Sequence, residues 1–153
     1  MTPSIEIQRV EPVLTAVVRD RVPRQMLSKF VPAACGEVWN YVRAAKIPRP
    51  GRHVSLYLDG EGSVEVGVEV GETFVGNDRV HCSALPAGRV ATVTHFGPYG
   101  QLGSAHAAVR EWCAREGHRL SQVSWEIYGH WDESWNTDPS KIRTDIYYLL
   151  SES

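Results

Sequence analysis

Residues 53–70 read HVSLYL-DGEG-SVEVGVEV, and this stretch decides the fold. In its second half Val64, Val66, Val68 and Val70 alternate with Glu65, Gly67 and Glu69. A two-residue period puts the valines on one sheet face and the glutamates on the other. His53 to Leu58 has the β-branched and aromatic content of a partner strand, and Asp59-Gly60-Glu61-Gly62 is turn chemistry between the two. Working back from this hairpin, Val31, Cys35, Val38, Trp39, Val42 and Ala45 recur by threes and fours. That spacing predicts a helix with Ser28 as its N-cap and Pro32 in its first turn, stopped by the PRPGR run at 48–52. Pro12 to Val18 reads as a strand before it. The unit is strand, helix, strand, strand.

Forward of the hairpin the same plan returns. Arg79 to Leu85 and Arg89 to Phe96 read as strands around a Pro86-Ala87-Gly88 turn. Gly97-Pro98 opens a helix whose stripe is Leu102, Ala105, Val109, Trp112 and Cys113, with Gly117 as its stop. Trp125 to Trp131 and Arg143 to Leu150 close the unit as strands. A shift of 71 positions lays Val31, Ala34, Val38 and Val42 on Leu102, Ala105, Val109 and Cys113, and Ser55-Leu56-Tyr57 on Glu126-Ile127-Tyr128. A register held through both helix and strand indicates duplication. The expectation is a single α+β domain over residues 1–153, with repeat one at about 5–76 and repeat two at about 77–150. Its duplicated strand-helix-strand-strand units are related by a pseudo-twofold axis, forming an antiparallel sheet with two helices on one side and a ligand cleft between the repeats.

Bulk properties narrow the function. The 153 residues are 42% hydrophobic and 22% charged, with net charge −2, so no basic field exists to hold a nucleic acid directly. No apolar run reaches the ~20 residues of a membrane span, and no signal-peptide layout opens the chain. Cys35, Cys82 and Cys113 are an odd set without CxxC spacing, which points to a reducing, cytoplasmic setting. No metal-ligand spacing, dinucleotide fingerprint or serine-nucleophile motif occurs, so no metal or cofactor is expected.

Several spaced elements together resemble the GyrI-like, or AraC-type, effector-binding domains. They are Pro86-x-Gly88-x-x-Ala91, then His95-x-Gly97-Pro98-Tyr99, then Trp112, Trp125-Glu126-Ile127-Tyr128 and Thr144-x-Ile146-Tyr147. Val38-Trp39 and Leu56-Tyr57 match the weaker first-half pattern. The resemblance implies a pocket for diverse, often cationic and aromatic, small molecules, with Glu126 as its key acid. Members of this family occur fused to helix-turn-helix domains, or alone as drug-sequestering and gyrase-inhibitor-like proteins. Some open cyclopropane rings of DNA-alkylating natural products by hydrolysis. No stretch of this chain outside the repeats reads as a helix-turn-helix.

Strand alternation puts Glu126, Tyr128 and His130 on one face, with Ser55 and Tyr57 on the corresponding face. Tyrosine rings beside a carboxylate can stack on flat molecules or carry a cation over their faces. The ligand-binding candidates are Glu126, Tyr128, Tyr57, Tyr147, Trp39 and Trp135, with Glu126 also the catalytic candidate if the protein is an enzyme. Trp39 lies on the helical stripe, where core packing is the usual explanation, and Trp135 is either a lid over the ligand or a loop anchor. Trp112 reads as core, His95 as a turn residue, His106 as packing, and Glu65 and Glu69 as a solvated strand face. Three readings stay open: a stand-alone binder that sequesters or senses drugs, a cyclopropanoid hydrolase in which Glu126 positions water, and a gyrase-inhibitor-like protein-interaction module. The oligomeric state is not legible.

Overall fold

The computed structural model describes residues 4–151; the outermost positions of the expected domain lie outside the described residues. Strands β1 (Glu6–Val10), β2 (Val13–Arg21), β3 (His53–Tyr57), β4 (Ser63–Glu69), β5 (Val80–Leu85), β6 (Gly88–Phe96), β7 (Leu120–Tyr128) and β8 (Arg143–Leu150) form one antiparallel sheet. Helix α1 (Leu27–Ala44) lies between β2 and β3, and α2 (Leu102–Glu116) between β6 and β7. Within the described residues the expected α+β duplication is present. Its sharpest sign is burial: Ala34, Val38 and Val42 are the buried residues of α1, and Ala105, Val109 and Cys113, each 71 positions on, are those of α2. Val38 and Val42 each contribute about 1.5–3 kcal/mol through that burial.

The strand order is β1-β6-β8-β7-β3-β4-β2-β5. The expected units are complete within each half, while β1 pairs with β6 of repeat two and β5 with β2 of repeat one. The sequence reading missed β1, because EIQRV has little apolar content and an edge strand buries little. Its place bends the whole sheet. Only two residues join β1 to β2, and two join β5 to β6, yet each pair stands six strand spacings apart in the order. A flat sheet would separate them by roughly 29 Å. The links reach about 11 Å. The sheet therefore curls, bringing its ends together on one side.

That concave side holds its own core, in which Leu85 and Val90 from the ends of the sheet meet Val54, Leu56, Trp125 and Ile127 from its centre. The helices pack on the opposite, convex side as two separate cores. Val64, Val66 and Val68 of β4 lie under α1, and Ala91, Val93 and Ile146 under α2. Curling splays the two helices, which opens a cleft between them above β3 and β7.

Four local expectations change. Helix α1 starts at Leu27 after a 3-10 turn over Arg24–Met26, and its N-cap is Met26 without a side-chain hydrogen bond, so Ser28 is not the cap. Pro32 sits in the second turn, where its missing N–H removes the bond to the Ser28 carbonyl. Strand β7 begins earlier than expected and ends at Tyr128, not Trp131. Beyond it the chain turns through 3-10 segments Glu133–Asn136 and Pro139–Lys141, capped by Asp132 and Asp138. Glu65 is not solvated. It lies buried on the concave face, bound by Arg19 at 2.7 Å and by Ser83 at 2.6 Å, while Glu69 is bound by Arg52. Gly117 ends α2 in the left-handed conformation at φ 77°, as expected. No helix among the described residues is long and apolar enough to cross a membrane.

Candidate ligand-binding cleft

Strands β3 and β7 pair at the centre of the sheet with Ser55 directly opposite Glu126. These two residues are also each other's repeat equivalents at the 71-residue offset. An operation that exchanges the repeats therefore maps this pair onto itself, and the pseudo-twofold axis passes through it. Tyr57 and Tyr128 stand on either side of the axis on the same convex face. Above them lies a cleft of about 1440 Å³, walled by Val31, Cys35 and Trp39 of α1 and by Leu102, His106 and Arg110 of α2.

Glu126 is 4% exposed and its carboxylate is engaged at both oxygens. Oε1 accepts from the Tyr57 hydroxyl at 3.1 Å and from the Tyr128 hydroxyl at 2.6 Å. Oε2 lies 2.6 Å from His106 Nε2. Tyr128 has one proton, which goes to the carboxylate. In its 2.8 Å bond with Ser55 the serine hydroxyl therefore donates. On the far side of the imidazole, Nδ1 is 2.7 Å from the Tyr148 hydroxyl, whose oxygen accepts from Arg110 at 3.1 Å. The Tyr148 proton is thus free for Nδ1. A neutral imidazole carrying its proton on Nε2 satisfies every partner in the chain, an assignment made from the hydrogen-bond network.

Burial, and next the negative charge of Glu126, hold the Tyr57 and Tyr128 hydroxyls well above the ordinary phenol range. Burial likewise raises Tyr148. All three remain donors at neutral pH. Burial pushes the Cys35 thiol up to about 11, so it stays an apolar wall rather than a nucleophile. No Arg or Lys pairs with Glu126 among the described residues; its basic partner is His106, and the six other contacts join different carboxylates to arginines.

The structure brings Glu126, Tyr57, Tyr128 and Trp39 together along the cleft. Trp39 tilts against His53 with ring centroids 5.8 Å apart. Tyr147 is a correction. It points to the concave face, stacked on Trp125 at 5.4 Å and 12°, because Ile146 and not Tyr147 pairs with Glu126. Trp135 also lies outside the cleft lining and packs edge-on against Trp131 at 5.2 Å. Trp131, 53% exposed, is the tryptophan that faces the cleft. Trp112 is half-buried against the core beneath α2.

His106, Arg110, Tyr148 and Ser55 complete the network, and of these the sequence reading took His106 for packing. The signal lay in the repeat. The 71-residue offset carries Cys35 and Trp39 of the first apolar stripe onto His106 and Arg110. Tyr148 needs a different offset. Ser55 pairs with Val66 and Glu126 with Ile146, so the last strands are offset by 80, nine residues of extra loop having entered after β7. Among the described residues no group of three or more His, Cys, Asp or Glu is placed to hold a metal ion.

Comparison with known proteins agrees with this architecture. The C-terminal domain of EcmrR superposes with a TM-score of 0.79 at 21% identity, covering 100% of both chains. In a complex of EcmrR with DNA, the matched part is 59% of that longer chain. SAV2435 bound to tetraphenylphosphonium superposes at 0.71 with 11% identity, covering 97% of this chain and 94% of that one. A hydrolase encoded by lin2189 from Listeria innocua superposes at 0.60 with 12% identity, covering 96% and 91%. At these identities the likenesses establish the fold alone. No curated protein matches the sequence. Residues 3–150 match the GyrI-like small molecule binding domain, and the chain belongs to that family.

Proposed function

We propose that the cleft holds hydrophobic compounds, cationic or aromatic, around Glu126, in the service of drug sequestration or sensing. The observation that carries this reading is a buried carboxylate on the floor of a largely apolar cleft, paired directly with no Arg or Lys among the described residues. Its hydrogen bonds come from neutral groups, so its charge is stabilised yet still felt by a cation. Oε2 accepts one bond and retains a lone pair for a ligand N–H. The rings of Tyr57, Tyr128 and Trp39 offer faces on which a flat or positively charged ligand rests. The likeness in fold to SAV2435, whose structure holds tetraphenylphosphonium, supports a hydrophobic cation as the first probe.

A second reading rests on the 2.6 Å contact between Glu126 and His106. A carboxylate joined to an imidazole can take a proton from water while the imidazole redistributes it. In this reading Glu126 positions a water and takes its proton as the oxygen bonds to one carbon of a strained cyclopropane; the ring C–C bond breaks, its electron pair leaves with the other carbon into the group that activates the ring, and that group takes up a proton. The likeness in fold to a Listeria innocua hydrolase is compatible with it.

One experiment separates the two. Purified protein is incubated with tetraphenylphosphonium and with cyclopropane-bearing alkylators, followed by tryptophan fluorescence and mass spectrometry. Fluorescence changes with every compound recovered intact support the binder. A water-added product that disappears in Glu126→Gln, with substrate affinity retained, establishes the hydrolase. No response to any compound rejects the cleft as a site for this class.

A further inference from the structure

The duplication supplies an internal control, because each side chain over the axis has a counterpart in the other repeat. Around the cleft these counterparts diverge in one direction. Repeat one places Cys35 and Trp39 at the cleft, with Ser55 and Val68 fully buried beneath it. Repeat two presents His106, Arg110, Glu126 and Tyr148 at the matching positions. At the matched positions α1 turns Cys35 and Trp39 to the cleft, and α2 turns His106 and Arg110. A ligand of uniform character would gain nothing from this division, so the occupant has two unlike ends and a single orientation.

The polar wall also carries more positive charge than a cation site uses. Arg110 faces the cleft, and its only side-chain partner is the neutral hydroxyl of Tyr148 at 3.1 Å. A guanidinium has five N–H donors in a planar fork, and most of Arg110's are unspent. Arg24, at the entry to α1, lines the same cleft from the repeat-one side. Neither arginine joins an ion pair among the described residues. The cleft's other acids are occupied elsewhere. Glu61 meets Arg21 at 3.4 Å, and Asp59 accepts the backbone N–H groups of its own turn.

We infer that Arg110 forms an anion-accepting subsite above Tyr148, with Arg24 of the same cleft adding to the positive field, and that the cleft selects amphoteric aromatic ligands. The aromatic body lies toward Trp39, a positive centre lies over Glu126, and a carboxylate or similar acid meets the Arg110 fork. This assignment rests on the cation-binding reading of Glu126 and adds a second charged group to it. The Arg110 fork, held at one N–H by the Tyr148 hydroxyl, is suited to a planar acid bound in the manner of an Arg–carboxylate pair.

Rhodamine B and its ethyl ester test the assignment, since they share one aromatic cation and differ only in a free or esterified carboxylate. Their affinities are measured by fluorescence anisotropy at neutral pH for the intact protein, Arg110→Met and Arg110→Lys. The expected result is a preference for the free acid of about tenfold or more in the unmodified protein. That preference falls to near parity in Arg110→Met, whatever happens to the ester's own affinity, and is partly kept in Arg110→Lys. Arg110 is exposed on a helix surface, so these variants fold. Equal binding of acid and ester by the unmodified protein overturns the anion subsite and leaves the cation site standing. So does a preference that persists in Arg110→Met. Failure of both dyes to bind overturns the cation reading and this subsite with it.

Discussion

Replacing Glu126 by glutamine removes a charge while leaving almost every contact in place. The carboxylate is 4% exposed and takes three hydrogen bonds, two at Oε1 and one at Oε2. A glutamine carbonyl at the Oε1 position keeps both tyrosine hydroxyls. Its amide then faces His106 Nε2, which becomes an acceptor when the imidazole carries its proton on Nδ1, opposite the Tyr148 oxygen. The Tyr148 hydroxyl, released from Nδ1, turns its proton to the cleft that it lines, where water accepts it, so the fold survives. A bound cation loses its counter-charge. For a cation that donates an N–H to the carboxylate the loss is about 1.5–3 kcal/mol, a roughly 10- to 150-fold rise in Kd; tetraphenylphosphonium, which has no donor, loses the Coulomb attraction alone. A Coulomb estimate at 5 Å with an effective dielectric of 20 gives about 3 kcal/mol, the upper end of that range. The assay is titration with tetraphenylphosphonium, followed through Trp39 and Trp131, which both line the cleft. Triphenylphosphine oxide serves as the neutral control, and its Kd should stay within about twofold. A Glu126→Gln protein that binds cation and neutral compound as tightly as before, or loses both alike, would refute the argument that this charge selects the ligand.

Two further outcomes follow from the fold. A Cβ built at Gly67 would stand 1.8 Å from the Ala16 carbonyl oxygen of the neighbouring strand, a backbone atom with nowhere to go. Gly67→Ala should therefore cost about 4 kcal/mol or more, read as a large drop in the urea midpoint; an unchanged midpoint would show that β2 and β4 can separate there. The second outcome concerns pH. The hydroxyls of Tyr57 and Tyr128 have pKa values raised above those of the unfolded chain, chiefly by burial. Their contribution to stability is whole below the ordinary tyrosine pKa of about 10 and is lost as pH rises beyond it, since only the unfolded chain ionises readily there. Alkaline unfolding should accompany the phenolate absorbance of these two residues, and substitution of both by phenylalanine should shift that transition upward. Two early, non-cooperative ionisations in the folded protein would contradict their burial.

Local pattern and repetition were enough to read both helices, seven of the strands, the duplication and the face carrying Tyr57, Glu126 and Tyr128. Period-two alternation and three-four spacing follow from backbone geometry, and they survive wherever one face is buried. The strand β1, the end of β7 and the setting of Glu65 were not legible, because each depends on which strand lies alongside. Glu65 looks solvated in VEVGVEV, and becomes buried only because the curled sheet brings Arg19 and Ser83 against it.

The site divides in the same way. Sequence alone determined that a glutamate and two tyrosines share a face near a pseudo-axis, since those residues occupy matched positions of one repeat. Tertiary structure decided the rest. Pairing of β3 with β7 set Ser55 against Glu126 on the axis, and one step of strand register sent Tyr147 to the far face and Tyr148 into the cleft. The curl imposed by two short links spread the helices, so that His106, read as packing, and Arg110, which no sequence pattern singled out, came to face the carboxylate and the space above it. Intra-strand and intra-helix periodicity is short-ranged and written residue by residue. The meeting of α2, β7 and β8 joins segments far apart in the chain, and only packing brings them together.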